Sequence, residues 1–285
     1  MSPAEIDAGE FRAGQRRDWD SASRGWREWN ELIDETTRPV SERMVEMAGI
    51  VSGDRVLDVA AGYGEPSLTA ARVVGPEGSV VASDISSAML EYGRERGAAA
   101  GLANIEFVES DAISLDFPAQ SFDAALSRWG IIFDPDGEGA AARVRGFLKP
   151  EARMAIASWG PPDRVPMLAV PMMTAMKRLE LPPPPPGSPG PLSRPTPEAI
   201  GGLLEGGGFS GIEVEEIMLP MEWESPEEFT RFVKEIAPPV SNILKDRPDE
   251  VREEVWAAIT DAAGEYVVDG RVRMESLALV AVGSA

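Results

Sequence analysis

The chain has 285 residues, 27 basic and 48 acidic side chains, and neither histidine nor cysteine. That excludes disulfides, thiolate metal sites, thiol nucleophiles and any histidine-based triad or metal centre, and no acidic calcium loop is present, so no metal is expected. At 43% hydrophobic and 26% charged the chain is of globular composition, and a net charge of −21 argues against nucleic acid or an anionic membrane face as partner. With no apolar leader and no 18-residue apolar run, a cytoplasmic protein without membrane insertion is expected.

Residues 1–15 are polar and aperiodic and are expected to form a loose arm. Residues 16–50 read as N-terminal helices. Trp19, Trp26, Trp29 and Ile33 fall on one helical stripe starting near Asp18, and a second helix is expected from Pro39 to Ala48. The period then changes over 51–160. Short apolar strands at Arg55–Ala61, Ser79–Ser83, Asn104–Glu109, Phe122–Ser127 and Arg153–Ser158 alternate with helical stretches at Ser67–Val74, Ser86–Ala100 and Gly139–Leu148. Such alternation means βαβ crossovers and a mostly parallel sheet covered on both faces.

Residues 161–197 hold 13 of the 25 prolines, Pro182–Pro186 consecutively, and are expected to be a polyproline-like insertion outside the sheet. In 198–285 the pattern returns: a helix with Thr196 as cap and Pro197 at its first position, strands at Ile212–Met221 and Met274–Val282, and between them a helical cap at about 225–265.

The chemistry centres on Asp58-Val-Ala60-Ala-Gly62-Tyr-Gly64, between a strand and a helix. Glycines there let backbone approach a ligand with no Cβ in the way, and the next helix presents free N–H groups. Asp84 ends the following strand, where a carboxylate can accept both hydroxyls of a ribose. Yet Asp58 and Glu65 would repel a pyrophosphate, which disfavours a dinucleotide and suits a ligand without phosphates.

The stretch VLDVAAGYGEPS resembles motif I of the class I S-adenosylmethionine-dependent methyltransferases. In order after it, Asp84-Ile-Ser-Ser-Ala-Met89-Leu, Ser110-Asp111-Ala112, Phe122–Ser127 and Leu148-Lys-Pro150 resemble the motifs after strands two and three, at strand four and before strand five. The resemblance covers about 40–160 and is similar to the small-molecule branch with the ubiquinone/menaquinone methyltransferases. It departs at Glu151-Ala152, where that family usually has Gly-Gly.

The resemblance implies a Rossmann-like, doubly wound, seven-stranded α/β sheet with an antiparallel terminal strand. It implies S-adenosyl-L-methionine as cofactor, S-adenosyl-L-homocysteine as product and a small-molecule methyl acceptor. Gly62, Gly64 and Ala60 would then pass the methionine portion along the backbone, with Asp58 and the Ser127 carbonyl at its ammonium. Asp84 would hold the ribose, Ile85 and Met89 would pack on adenine, and Asp111 and Ala112 would meet its edge. Met89 read alone is equally a core residue.

On the acceptor side the sequence offers Trp26, Trp29, Arg128, Trp129 and Phe133, and no obvious base. The tryptophans read as packing or as pocket, and Arg128 as an anchor for an anionic group or as one half of an ion pair. Methyl transfer is an in-line displacement on an already activated methyl, so alignment and dryness matter most and lack of histidine is no obstacle. Two rivals stand beside it: a cofactor-binding protein that does not methylate (a sensor or a rearrangement catalyst), and an NAD(P)-dependent oxidoreductase. The latter lacks a Tyr-x-x-x-Lys pair. Monomer and homodimer are both open.

Overall fold

The computed structural model describes residues 7–185 and 188–285. Two helices, α1 (Ala8–Glu28) and α2 (Asn30–Met47), precede the alternating region of β1 (Arg55–Val59), α3 (Ser67–Val74), β2 (Ser79–Asp84), α4 (Ser87–Ala99), β3 (Ile105–Glu109), β4 (Phe122–Arg128), α5 (Gly137–Phe147) and β5 (Leu148–Trp159). Then follow α6 (Pro166–Arg178), α7 (Pro197–Gly206), β6 (Ser210–Trp223), α8 (Pro226–Ile236), α9 (Pro238–Leu244), α10 (Asp249–Ala263), a two-residue β7 (Val267–Val268) and β8 (Arg271–Ser284).

The strands lie in the order β3-β2-β1-β4-β5-β8-β6, with β7 on β8. The first five are mutually parallel, and β8 runs antiparallel to both β5 and β6. This is the expected doubly wound seven-stranded sheet with one reversed strand, plus the short β7. β1, β2 and β4 are almost wholly buried, as apolar runs covered by helices on both faces must be. The order reverses between β1 and β4, and a crevice opens there at the carboxyl ends of the strands.

Four expectations need correction. Residues 8–15 are helix rather than loose arm. Asp7 caps α1 by accepting from the amides of Gly9 and Glu10, and Arg12 is anchored to Asp134, 122 residues away. Such distant anchors leave no trace in local periodicity. Residues 1–6 of the expected arm lie outside the described residues. Second, the tryptophan stripe is not one helix: Trp29, at φ −93° and ψ 8°, ends α1 and starts α2. α2 then runs on through Pro39.

Third, the proline-rich segment lies outside the sheet but contains α6. Pro166 sits in its first turn, where no N–H is needed, and Pro171 costs it one interior bond. Packing against α10, α9 and β8 offsets that loss. Leu181–Pro185 carry no regular structure, and Pro186 lies outside the described residues. Fourth, the cap contains α9, which proline composition hid. At the departure from the family pattern, Glu151 adopts φ +64°, a left-handed conformation that explains why glycine is favoured there.

Candidate functional site

The site begins where β1 ends. Ala60 (φ +59°), Gly62 (φ +52°) and Gly64 (φ +108°) turn the chain sharply, and the Ala61 N–H donates to the Ser83 carbonyl at 2.9 Å. A Cβ built on Gly62 would meet no atom within 4 Å, so this residue offers bare backbone to open space. At Gly64 a Cβ would press on Leu68 at 3.4 Å; that glycine serves the turn and its packing.

Asp84, at the end of β2, is 7% exposed. Its Oδ2 accepts from Gly62 N–H at 2.8 Å and its Oδ1 from Ser86 N–H at 2.8 Å. Burial pushes its pKa up to about 6 against the pull of those amides. Ser86 caps α4 by accepting from Met89 N–H, and its hydroxyl donates to Asp20 of α1 at 2.6 Å. The turn after β1, the end of β2 and α1 are thus joined by one polar chain.

Above them lies a cavity of about 270 Å³. One set of walls comes from the strand ends: Ala60, Gly62, Tyr63, Asp84, Ile85, Met89, Asp111 and Ala112. The Asp111 carboxylate accepts from the amide and hydroxyl of Ser114. Arg12, Gln15, Trp19, Trp26, Ile33 and Thr37 of α1 and α2 close this end. Arg12 holds Asp134 through two bonds of 2.8 and 2.9 Å, and Trp19 packs edge-on against Phe133 at 5.5 Å.

The other walls are apolar. Trp129 and Trp159 stack face to face at 4.4 Å and 3°. The same lining includes Met167, Leu168, Pro171 and Met172 of α6, Pro191 and Leu192 beyond it, and Phe232, Val233, Ile236 and Pro238–Val240 of α8 and α9. No ionisable side chain lies in that second set. Trp129 takes φ +53°, a strained conformation for a bulky residue that turns the chain out of β4.

Two buried charges underlie the first set. Asp58 is fully buried; its Oδ2 accepts from the Ser67 hydroxyl at 2.5 Å, and its Oδ1 has no partner among the described residues. Burial drives its pKa up to about 7, opposed by Ser67 and by the charge of Arg128. Arg128, 7% exposed, donates to Thr37 Oγ1 (2.7 Å), Ser41 Oγ (3.0 Å) and the Tyr63 hydroxyl (3.1 Å). Burial works against its charge, but Tyr63, Glu65 and Asp34 outweigh it, and the guanidinium stays protonated.

The structure brings most of the sequence candidates to one cavity: Ala60, Gly62, Asp84, Ile85, Met89, Asp111 and Ala112, with Trp26, Arg128, Trp129 and Phe133. It leaves four out of the lining. Asp58 lies beneath it, Gly64 serves packing, and Ser127 is buried with its Oγ accepting from Ile131 N–H. Trp29 packs on Phe232 and donates to Glu235 at 2.6 Å. Sequence reasoning missed Tyr63, Thr37, Trp159 and the α6 and α8 walls. Tyr63 could have been found, since it sits inside the glycine turn; the others are joined to the site only by tertiary packing.

A family model described as a methyltransferase domain matches residues 56–151. An aklanonic acid methyltransferase, DauC, of Streptomyces sp. (strain C5) is 38% identical over 42% of this chain and 54% of its own length. The ubiquinone/menaquinone biosynthesis C-methyltransferase UbiE of Pseudomonas putida (strain F1) is 40% identical over 41% of this chain and 46% of its own. The matches thus span about half the length of these relatives. In fold, the YcgJ protein of Bacillus subtilis superposes with a TM-score of 0.56 at 19% identity, covering 87% of this chain and 98% of that one. Glycine turn, acidic strand end and sheet order fall on the same segment that the sequence comparison picks out: residues 56–151 are similar to a methyltransferase domain.

Proposed function

We propose that the chain is an S-adenosylmethionine-dependent methyltransferase acting on a small, flat, largely apolar acceptor. The observation that carries this reading is the bare face of Gly62 beside Asp84, opening into a cavity whose further lining is largely aromatic and aliphatic. Residues at the strand ends fit an adenosyl donor without phosphates. The lone pairs left on Asp84 suit ribose hydroxyls, Ile85, Met89 and Ala112 offer apolar surface to adenine, and Asp111 faces its amino edge. The cation of α1 at this end, Arg12, is already spent on Asp134, and Glu65 at the lining would repel a pyrophosphate.

Bound donor supplies an electrophilic methyl on a positively charged sulfur, and the protein supplies alignment and a dry chamber. Trp19, Trp26 and Phe133 screen the donor end from water, and the Trp129–Trp159 stack with the α6 and α8 walls shapes the acceptor end. No side chain of the second set of walls can take a proton, and the chain has no histidine. The fitting acceptor is therefore a carbon acid, enol or phenol that ionises readily by itself, attacked in line without a protein base. The relatives' names, an aklanonic acid methyltransferase and a ubiquinone/menaquinone C-methyltransferase, agree with an acceptor of that kind. A pyridine-dinucleotide oxidoreductase and a non-methylating binder are less well supported, given the methyltransferase domain match.

Calorimetric titration with S-adenosylhomocysteine and with NADH tests the donor. Transfer of labelled methyl to a panel of fused-ring phenols and 1,3-diketones tests the reaction. Saturation by NADH without binding of the adenosyl ligand would reverse the reading.

A further inference from the structure

We infer that Arg128 is the seat of a carboxylate, the one at the amino-acid end of the bound adenosyl donor. This rests on the methyl-transfer reading and extends it to a contact that neither Asp58 nor the Ser127 carbonyl can make.

Arg128 is unusual among the arginines of the site. Arg12 is paired with Asp134 and Arg96 with Asp34, whereas the partners of Arg128 among the described residues are the hydroxyls of Thr37, Ser41 and Tyr63. In a chain with 48 acidic side chains, Arg128 is 7% exposed and its guanidinium lies over the Trp129 and Tyr63 rings. Glu65, Asp34 and Asp58 act on it only from beyond ion-pair distance, so no carboxylate among the described residues pairs with it directly. Burying such a charge is costly unless an anion joins it. The three hydroxyls occupy three of its five N–H donors, both on Nη1 and one on Nη2, which leaves Nε–H and the second Nη2–H for another acceptor. Arg128 and Thr37 both line the cavity.

The sheet order says which anion. Across the crevice stand Asp111 after β3, Asp84 at the end of β2, Gly62 after β1 and Arg128 at the end of β4. At the spacing of neighbouring strands that row covers about 14 Å, a span suited to a nucleoside with an amino-acid tail. With Asp84 on the ribose and Asp111 at the base, the tail points past Gly62 to β4. Tyr63, in the glycine turn itself, holds Arg128 at that point. An acceptor carboxylate shares this chemistry, and the Trp129 ring stands 5.1 Å from the guanidinium; the hydroxyls that hold Arg128, however, belong to the glycine turn and α2, which favours the donor's tail.

The test is calorimetry on the full chain with S-adenosylhomocysteine and with its decarboxylated analogue, 5′-deoxy-5′-(3-aminopropylthio)adenosine. Wild type is expected to prefer the carboxylate-bearing ligand by about 10- to 100-fold, and Arg128→Met to bind both with similar, weak affinity. Arg128→Lys, which cannot serve the hydroxyls and a carboxylate together, is expected to narrow the preference several-fold and serves as the readout should the methionine variant not fold. Equal binding of the two ligands by wild type overturns the inference and leaves Arg128 to the acceptor, as does a wild-type preference kept by the variants. A variant that weakens both ligands in the same proportion shows a merely structural arginine and overturns it as well. If wild type binds neither ligand, the methyl-transfer reading itself has failed.

Discussion

Asp84 Oδ2 accepts the Gly62 N–H at 2.8 Å, so the carboxylate proposed to hold the ribose also fixes the turn that admits the donor. The two duties separate by substitution. Asp84→Ala strands the amides of Gly62 and Ser86 and is expected to lower stability by about 2–4 kcal/mol. Asp84→Asn keeps one acceptor oxygen and sheds a carboxylate that burial already disfavours, but turns its NH2 toward one of the two amides, so it is expected to cost about 1–2 kcal/mol, less than the alanine variant. Its affinity for S-adenosylhomocysteine should nevertheless fall at least about tenfold. Urea melts and calorimetry read the two effects, and an Asn variant that binds like wild type would remove Asp84 from the donor seat.

Gly62→Val is a sharper probe of the cavity itself. The new side chain finds nothing within 4 Å of its Cβ, so the only internal cost is the left-handed backbone at φ +52°, about 1–2 kcal/mol. Circular dichroism should therefore show a folded protein with a modestly lowered melting temperature. Donor binding should be lost, because the branched side chain fills the space along which the ligand passes. Binding at wild-type strength would put the donor elsewhere.

The parts of this site written in the sequence are those in which chemistry and local structure coincide. Asp84 ends a buried strand, and Gly62 stands in a strand-to-helix turn, so period and residue type mark both. The sheet follows from the same alternation. Asp58 carried an equally clear motif signal, yet only the fold shows that Ser67 caps it and that it lies beneath the wall. The apolar part of the lining was least legible. Trp159 meets Trp129 through the pairing of β4 with β5, and Phe232 and Pro171 reach it through helix packing, for which sequence spacing gives no register. Proline content misled twice, at α6 and α9: proline in a first helical turn breaks nothing, and the one interior proline, Pro171 of α6, is carried by tertiary packing.

The two raised carboxyls set a pH dependence of stability. Asp58 titrates at about 7 and Asp84 at about 6 in the folded chain, against an ordinary aspartate near 3.9. Between about pH 4 and those values the unfolded chain has released protons that the folded chain keeps, so stability falls as pH rises through that window. Each group contributes roughly 1.4 kcal/mol per pH unit while the difference lasts. Asp58→Asn should flatten the slope by one proton. Urea midpoints for both proteins at pH 5, 6 and 7 decide it; parallel slopes would mean that Asp58 is ionised in the folded state.

Arg12 and Asp134 tie the N-terminal half of α1 across the mouth of the donor end, with side chains 19% and 10% exposed. A bidentate pair this shielded outweighs an exposed one but is still worth only on the order of 1–2 kcal/mol. Its effect should be local, because Arg16–Glu109, Asn242–Asp18 and Ser86–Asp20 are the next polar ties along the same helix. Arg12→Gln is therefore expected to leave the melting temperature within a few degrees. Amide exchange across residues 8–20 should speed up, and S-adenosylhomocysteine should dissociate several-fold faster in a stopped-flow displacement. If exchange and dissociation both match wild type, α1 is held down by Trp19 on Phe133 rather than by the ion pair, and Trp19→Ala becomes the variant that frees it.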